Sequence, residues 1–461
     1  MQPLLLINAV GLTQRLLPFA PRLSKLAGSQ NVCSLSDVVP AVTCTAQATM
    51  LTGEMPDRHG IVGNGWLFRD TGEVRFWQQS NRLIQAEPLY KTARSRAAER
   101  GKAFRCAKLF WWFNQGAAVD ISVTPKPYYG ADGNKAFGIY GSPAGLTERL
   151  ETRLGPFPFH TFWGPRAGLP CTQWIAQCAA QVLSDERPDL TLVYLPHLDY
   201  DPQRFGPEKC NIAKLVGELD QACLPLLDAA QAIGARVWIV SEYGHVQVNR
   251  PVVLNRALRK AGLLVARAGP FGETMDTFES QAFAVCDHQI AHIYVKEAAD
   301  LPKIRDIVLA SPGVGRVVMG EERAELNLHH ERAGDIVVLA EPDVWFAYPF
   351  WLDDRAAPDY ARTVDIHRKP GYDPCELFLD PNLRAPSLRV ARRLLQKELG
   401  FRTLFDVIPL DPTLVHGSHG LPSRDSLNGP VLIAELPRQE TRRLPMTAVR
   451  DAVLHALELG E

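Results

Sequence analysis

Four polar side chains with catalytic potential lie where apolar runs of the sequence end. They are Asn8, Thr43, Asp199 and Glu242, at or just beyond the ends of the runs 4–10, 32–39, 189–195 and 236–240. Each run is short and apolar enough to form a buried strand. Ligands of parallel α/β sheets bind beyond the carboxyl ends of the strands, so we expect these side chains to share one active site.

The threonines after residue 40 lie where a strand gives way to a helix. Pro40 ends the extended run, and a helix is predicted from Ala46 to Leu51, ending at Gly53. At a helix start, unpaired backbone N–H groups and the positive end of the helix dipole attract anions. A hydroxyl at Thr43 or Thr45 is therefore placed to attack an anionic substrate. The alternative is that these threonines only cap the helix.

The composition limits the partners that the chain attracts. Its 461 residues include 50 basic and 51 acidic side chains, so no bulk charge recruits nucleic acid or a membrane. Nine cysteines without a C-x-x-C pair favour reduced thiols over disulfides. The first apolar run is too short for a signal peptide, and none reaches the roughly 18 residues of a membrane helix. We therefore expect a cytoplasmic protein with no membrane anchor.

Alternating strands and helices predict an α/β fold with a doubly wound, mostly parallel sheet. We expect a core at 1–262 and 333–461, with an aromatic-rich insertion at 66–168 and a smaller α+β cap at 263–332. Two details are also predicted: one long helix from Glu208 to Ile233, and a return to the main sheet at Asp335 to Leu339.

Several short motifs occur in an order that resembles a known family. They are Pro40-Ala-Val-Thr43, Thr52-Gly53, His59-Gly-Ile-Val-Gly-Asn64, Leu198-Asp199, Phe205-Gly206-Pro207 and Gly417-Ser418-His419-Gly420. Together they resemble the nucleotide pyrophosphatase/phosphodiesterases of the alkaline phosphatase superfamily, which includes phosphonoacetate hydrolase-like relatives. The resemblance extends from Leu4 to about Leu421, so it implies an alkaline phosphatase-type fold for most of the chain.

The resemblance also implies a reaction and a set of residues. It implies a metal-dependent hydrolase that acts on a phosphodiester, pyrophosphate or related phosphorus-containing metabolite through a phospho-threonine. Thr43 is then the nucleophile, and Asn64 holds a nonbridging oxygen. The implied ligands are Asp199, Gln203 and His419 for a first metal, and Asn8, Thr43, Glu242 and Tyr243 for a second. Two cations would lower the pKa of the threonine hydroxyl and neutralise the transferred group.

The sequence departs from the family at four of these positions. Relatives have Asp at position 8, His at 203, Asp at 242 and His at 243, where this chain has Asn8, Gln203, Glu242 and Tyr243. An amide oxygen and a neutral phenol are poor zinc ligands. Three interpretations remain: Mg²⁺ or Mn²⁺ in place of zinc, one metal shared by Asp199, His419 and Glu242, or binding without cleavage. The alternatives to a hydrolase are a phospho-ligand binder or accessory protein, and a phosphoryl transferase.

Three further groups of residues each have a functional and a structural interpretation. In the basic turn 365–371, Asp365 and His367 could supply the missing metal ligands and Arg368 or Lys369 could contact a substrate phosphate, or the segment is a plain surface turn. His288 and His292 are either a metal pair or part of a partly buried strand. His59 and His245 flank motif glycines, where they hold loop geometry or a ligand carboxylate.

Overall fold

The computed structural model describes residues 1–28, 32–131, 135–401, 403–436 and 443–460. Within these ranges a nine-stranded central sheet forms the core. In spatial order its strands are Arg443–Pro445, Val32–Ser36, Val431–Ile433, Arg236–Val240, Leu4–Ala9, Leu190–Leu195, Cys106–Leu109, Ile121–Tyr129 and Lys135–Ser142. All run in one direction except Val431–Ile433 and Lys135–Ser142. The predicted mostly parallel sheet is thus confirmed.

The central strands are continuous apolar runs because helices cover both faces of the sheet. Every residue of Leu4–Ala9 and of Leu190–Leu195 is buried. The described α-helices of seven or more residues are Pro21–Ala27, Thr43–Thr52, Leu89–Glu99, Leu146–Leu154, Leu169–Glu186, Ile212–Ala222, Leu224–Ala232, Leu254–Lys260, Leu301–Leu309, Pro386–Glu398 and Ala448–Ala456. The predicted aromatic insertion therefore contributes to the core, since Cys106–Leu109 and the two strands that follow it belong to the central sheet.

The helix after the second strand spans Thr43–Thr52 and is buried along its whole length. It begins three residues earlier than predicted. It ends at Gly53, which has a φ of 69° and the left-handed conformation that favours glycine. The helix start lies beside the carboxyl ends of Leu4–Ala9 and Arg236–Val240, because Thr43 contacts Tyr243 and Gln47 contacts Glu242.

Two predicted elements are wrong. The single helix over 208–233 is two helices, Ile212–Ala222 and Leu224–Ala232, because Pro225 begins a new helix and cannot continue the first. Ile336–Ala340 does not rejoin the central sheet. It pairs with Ile290–Val295 and Val314–Met319 in a separate antiparallel sheet that also contains Ala282–Asp287. The predicted boundary at residue 332 therefore falls inside this smaller sheet.

A second apolar core lies under the smaller sheet and includes Phe283, Ile293 and Val338. Among the described helices, none combines the length and apolarity that crossing a bilayer requires. The hairpin turn between Ala282–Asp287 and Ile290–Val295 extends towards the central sheet, where His288 stacks against His419. The smaller sheet thus closes one side of the cluster of polar residues described next.

Candidate active site

Thr43 lies at the buried start of its helix, with its hydroxyl among the side chains of Tyr243, Glu242 and Tyr194. Its Oγ1 is 2.9 Å from the Tyr243 hydroxyl, and that hydroxyl donates to Asp199 Oδ1 at 3.2 Å. A carboxylate only accepts hydrogen bonds, so the Tyr243 proton is committed to Asp199. The Tyr243 oxygen therefore accepts from Thr43. Burial has the larger effect on Glu242 and Tyr194 and raises the pKa of each, while a hydrogen bond with Thr43 lowers it, so three polar side chains orient the Thr43 hydroxyl.

Asn64 is fixed by contacts to both ends of its amide. Its Oδ1 accepts from the backbone N–H of Cys44 at 3.0 Å, and its Nδ2 donates to Asp287 Oδ1 at 3.1 Å. The other oxygen of Asp287 accepts from the Asn64 backbone N–H at 2.7 Å. The amide plane is thus locked beside the helix start. One of the two Nδ2 hydrogens serves Asp287, and the second is available to an anion near Thr43.

Asp287 and His288 come from the hairpin of the smaller sheet, and their placement at this site is not predicted from the sequence. His288 Nδ1 is 2.8 Å from Asp287 Oδ1, and its ring stacks between Tyr372 and His419 at 3.7 and 3.8 Å. His292 lies elsewhere: its two ring nitrogens bond Val62 O and the backbone N–H of Gly334. The two histidines do not form a metal pair, and His292 is a structural residue of a buried strand.

Three potential metal ligands converge next to Tyr243. Asp199, His245 and His419 each offer one donor atom, and these atoms lie within 4.8 Å of one another. His245 Nε2 is 3.0 Å and His419 Nε2 is 3.8 Å from Asp199 Oδ1. Burial and the neighbouring His288 and His245 lower the pKa of His419 well below its usual value, so its ring is neutral, as a metal ligand must be. From its position in the sequence, His245 was expected to hold loop geometry or a ligand carboxylate, and not to be a ligand itself.

Gln203 lies near this group but its side chain is engaged elsewhere. Its Oε1 accepts from the Tyr372 hydroxyl at 2.7 Å, and its Nε2 donates to the backbone oxygen of Asp199 at 2.9 Å. Both ends of the amide are therefore used within the protein.

Glu242, predicted as a ligand of the second metal, is hydrogen-bonded to two amide side chains. Its Oε1 accepts from Asn8 Nδ2 at 2.6 Å and from Gln47 Nε2 at 2.7 Å, and Gln47 Oε1 in turn accepts from the Trp112 backbone N–H at 2.8 Å. Burial raises the pKa of Glu242 to about 8, and burial also raises that of Tyr243 well above its usual value. Near neutral pH this end of the site is uncharged. Gln47 is a member that sequence analysis did not single out.

The turn at 365–369 has contacts of its own. The Lys369 ammonium lies 2.7 Å from both Asp373 Oδ2 and Glu376 Oε1 and is fully buried. Asp365 pairs with Lys135 at 2.7 Å, and His367 Nδ1 lies 3.4 Å from Phe76 O. Lys369 is thus enclosed in an ion cluster that positions the segment. Its charge is not presented to a ligand.

An aromatic wall extends from the polar cluster through Tyr372. We use this name for Trp77, Trp112, Trp163 and Tyr372. Trp77 lies 5.0 Å from Trp112 and 6.1 Å from Tyr372, and Trp163 lies 5.9 Å from Tyr372, measured between ring centroids. Tyr372 joins the wall to the site, because its hydroxyl bonds Gln203 and its ring stacks on His288.

Comparisons with known proteins agree with this architecture. The family model "Type I phosphodiesterase / nucleotide pyrophosphatase" matches residues 4–373. A sequence comparison with curated proteins found no significant match. Among solved structures, murine ectonucleotide pyrophosphatase/phosphodiesterase 5 is similar, with 14% identity, a TM-score of 0.58 and coverage of 99% of this chain and 95% of that chain. Phosphonoacetate hydrolase from Sinorhizobium meliloti, in complex with phosphonoformate, has 15% identity, a TM-score of 0.60 and the same coverage. An inactive variant of the murine protein, in complex with AMP, has 14% identity, a TM-score of 0.57 and coverage of 100% and 96%.

Proposed function

Since the chain belongs to the type I phosphodiesterase / nucleotide pyrophosphatase family of hydrolases, we propose that it cleaves a phosphodiester or pyrophosphate bond of a small metabolite, with Thr43 as the nucleophile. The observation that carries this proposal is the placement of Thr43. Its hydroxyl is buried at a helix start, 2.9 Å from the Tyr243 hydroxyl and beside the carboxyl group of Glu242. The helix dipole favours a phosphate at the same point.

The reaction proceeds in two displacements at phosphorus. The Thr43 oxygen forms a bond to phosphorus as the bond to the leaving oxygen breaks, and water then cleaves the phospho-threonine ester. The Thr43 proton passes to the leaving oxygen or to water, while the Tyr243 hydroxyl, hydrogen-bonded to Thr43 and to Asp199, orients the Thr43 hydroxyl for the attack. The second Nδ2 hydrogen of Asn64 is positioned for a nonbridging oxygen, where it stabilises developing charge.

The residues that fit a metal ion are Asp199, His245 and His419. Their donors are one carboxylate and two imidazoles, a set that zinc and similar divalent ions accept. A cation bound there supplies positive charge beside Tyr243 and Thr43. The group around Glu242 fits less well, since it offers one carboxyl group, whose Oε1 already accepts from two amides, and no imidazole.

The aromatic wall favours a substrate with a planar group. Trp77 and Trp112 are a tilted pair joined to the site through Tyr372, and aromatic faces bind bases and aryl groups by stacking. The murine relative was solved with AMP. We therefore propose a nucleotide ester or another phosphorylated metabolite with an aromatic ring.

Replacement of single threonines tests the nucleophile. We expect Thr43→Ala to abolish release of p-nitrophenol from p-nitrophenyl phosphodiesters, with little change in melting temperature. Thr45→Ala is the matched control, because Thr45 lies two residues after Thr43 on the same buried helix. Its Oγ1 has no hydrogen-bond partner in the described structure. Rapid acid quench and peptide mass spectrometry of wild type should detect a phosphate adduct on Thr43.

Two outcomes would contradict the proposal. Turnover by Thr43→Ala equal to that of wild type would remove the nucleophile. A wild type that binds AMP, but neither turns over any phosphodiester nor forms an adduct, would favour the second candidate, a non-hydrolytic phospho-ligand binder. The observation behind that candidate is the uncharged environment of Glu242 beside Thr43.

A further inference from the structure

We infer that the chain holds a single divalent cation on Asp199, His245 and His419. His245, and not Gln203, is the third ligand of this ion, and no cation binds at Glu242. This inference refines the site of the proposed function. It concerns metal binding alone and is tested without a substrate.

The spacing of the three donors suits one ion. Two ligands at 2.0–2.1 Å from a tetrahedral zinc lie about 3.3 Å apart. The two donor pairs that include Asp199 Oδ1 are 3.0 and 3.8 Å, on either side of that value. The three side chains are also shielded from solvent, with 11%, 3% and 1% of Asp199, His245 and His419 exposed. These distances leave room for an ion after small side-chain shifts.

The tautomer of His419 favours a bound cation. Its Nδ1 lies 2.7 Å from the backbone oxygen of Ala41, and a carbonyl only accepts, so Nδ1 carries the proton. Nε2 is then a lone pair. It is buried and has no hydrogen-bond partner in the part of the chain that is described, yet it faces the Asp199 carboxylate. Two electron-rich atoms facing each other in a buried site are stabilised by a cation between them, and a carbonyl bond to the other ring nitrogen is a common way to orient a metal-ligating histidine.

His245 is available for this role and Gln203 is not. Both ends of the Gln203 amide are occupied, by Tyr372 and by the Asp199 backbone. His245 directs Nε2 at Asp199 Oδ1, the same oxygen that His419 faces. An imidazole is also a much better ligand than an amide for zinc or cobalt. His245, three residues after Glu242, therefore takes the place of the histidine that relatives have at position 203.

The Glu242 end carries a different set of contacts. Glu242 Oε1 accepts two amide hydrogens, from Asn8 and Gln47, and the Tyr243 hydroxyl is committed to Asp199. Glu242 Oε2 and Asn8 Oδ1 have no hydrogen-bond partner among the described residues, but this end offers one carboxyl group, an amide and a phenol, and no imidazole. Such a donor set holds zinc or cobalt more weakly than the carboxylate and two imidazoles around Asp199.

Metal titration distinguishes this arrangement from the family pattern. The full-length protein is stripped with a chelator and titrated with Co²⁺, followed by visible absorption, and with Zn²⁺, followed by elemental analysis after gel filtration. We expect one ion per chain in wild type. His245→Ala should weaken binding by at least about 100-fold, whereas Gln203→Ala, the matched control, should stay within about threefold of wild type. Zinc X-ray absorption should show two imidazoles in wild type and one in His245→Ala.

The contrary results are equally defined. Two stoichiometric ions per chain, no bound ion, or loss of binding in Gln203→Ala with retention in His245→Ala would each overturn the inference. If His245→Ala does not fold, His245→Gln is used, with the rise in melting temperature on adding Zn²⁺ as the readout. That rise should be present in wild type and Gln203→Ala and absent in the His245 variant. Failure of Thr43 to turn over substrate would leave these metal-binding results unchanged, so the two proposals fail separately.

Discussion

The side chains around Asp199 and those around Glu242 both lie near Tyr243, but their chemistry differs. Around Asp199, two imidazoles face a carboxylate and one ring nitrogen has no partner within the described residues. Around Glu242, two amides donate to one carboxyl oxygen, and burial raises the pKa of that group to about 8. The first group combines one carboxylate with two imidazoles, which is a donor set for a metal ion. The second offers a single carboxyl group and no imidazole, and its Glu242 Oε2 and Asn8 Oδ1 have no hydrogen-bond partner among the described residues.

This difference bears on the activation that we propose for Thr43. Tyr243 contacts both Thr43 and Asp199, so a single phenol couples the proposed nucleophile to the Asp199 group. A phenol orients the hydroxyl by hydrogen bonding and holds no cation against the threonine oxygen. On our proposal the chain relies on orientation and on one centre of positive charge, where its family pattern implies two.

Asp199→Asn should have the largest effect. Asp199 Oδ1 is the atom that Tyr243, His245 and His419 all face, and the substitution removes the only carboxylate of that group. We expect a fall in kcat/KM of at least about 1000-fold, as for loss of a major electrostatic group, together with loss of bound metal. Steady-state kinetics and elemental analysis check this. Retention of either property within tenfold of wild type would mean that the Asp199 group is not the charged centre.

Tyr243→Phe should have an intermediate effect. It removes the hydrogen bonds that join Thr43 to Asp199 while keeping the buried ring, which stacks on His419 at 3.7 Å. We expect kcat to fall about 10- to 100-fold with KM nearly unchanged, because in the proposed mechanism the hydroxyl orients Thr43 and does not bind substrate. Metal content should stay at the wild-type level. A change confined to KM would show that the hydroxyl acts in substrate binding.

The sequence was sufficient to predict the fold because its strands are continuous apolar runs with polar residues at their ends. It was not sufficient to assign every run to a sheet. Ile336–Ala340 is buried at all five positions, as the central strands are, and nothing local distinguishes a strand of the smaller sheet from one of the central sheet. Only the pairing with Ile290–Val295 decides.

The site was predictable in location and less so in its contacts. Asn8, Thr43, Asp199 and Glu242 lie together as their positions at strand ends implied. The contacts of Gln203 and His245 depend on side-chain direction, which spacing does not specify. His245 is 46 residues from Asp199, and Gln203 is only four away but turns its amide to Tyr372 and the backbone. Likewise, Lys369 has the composition of a phosphate contact, but two nearby carboxylates enclose it.

Glu242→Gln should have the smallest effect on activity and a clear effect on how the folding stability changes with pH. Glutamine keeps a carbonyl oxygen for the Asn8 and Gln47 amides, so we expect kcat/KM at pH 7 to change less than about fivefold. In wild type the pKa of Glu242 is about 8 when folded and about 4.5 when unfolded, so the folded state binds more protons between these values. Stability contributed by this proton is therefore present below pH 4.5 and is lost as pH rises to about 8.

Melting temperatures of the metal-free protein from pH 5 to 8.5 measure this effect. The decline in wild type relative to Glu242→Gln should be greatest between pH 5 and 8 and should level off above pH 8, since glutamine does not titrate. Parallel curves for the two proteins would mean that Glu242 is ionised across this range. A carboxylate at that position would supply the negative charge that a second cation requires. The contrast between the group around Asp199 and the group around Glu242 would then not hold.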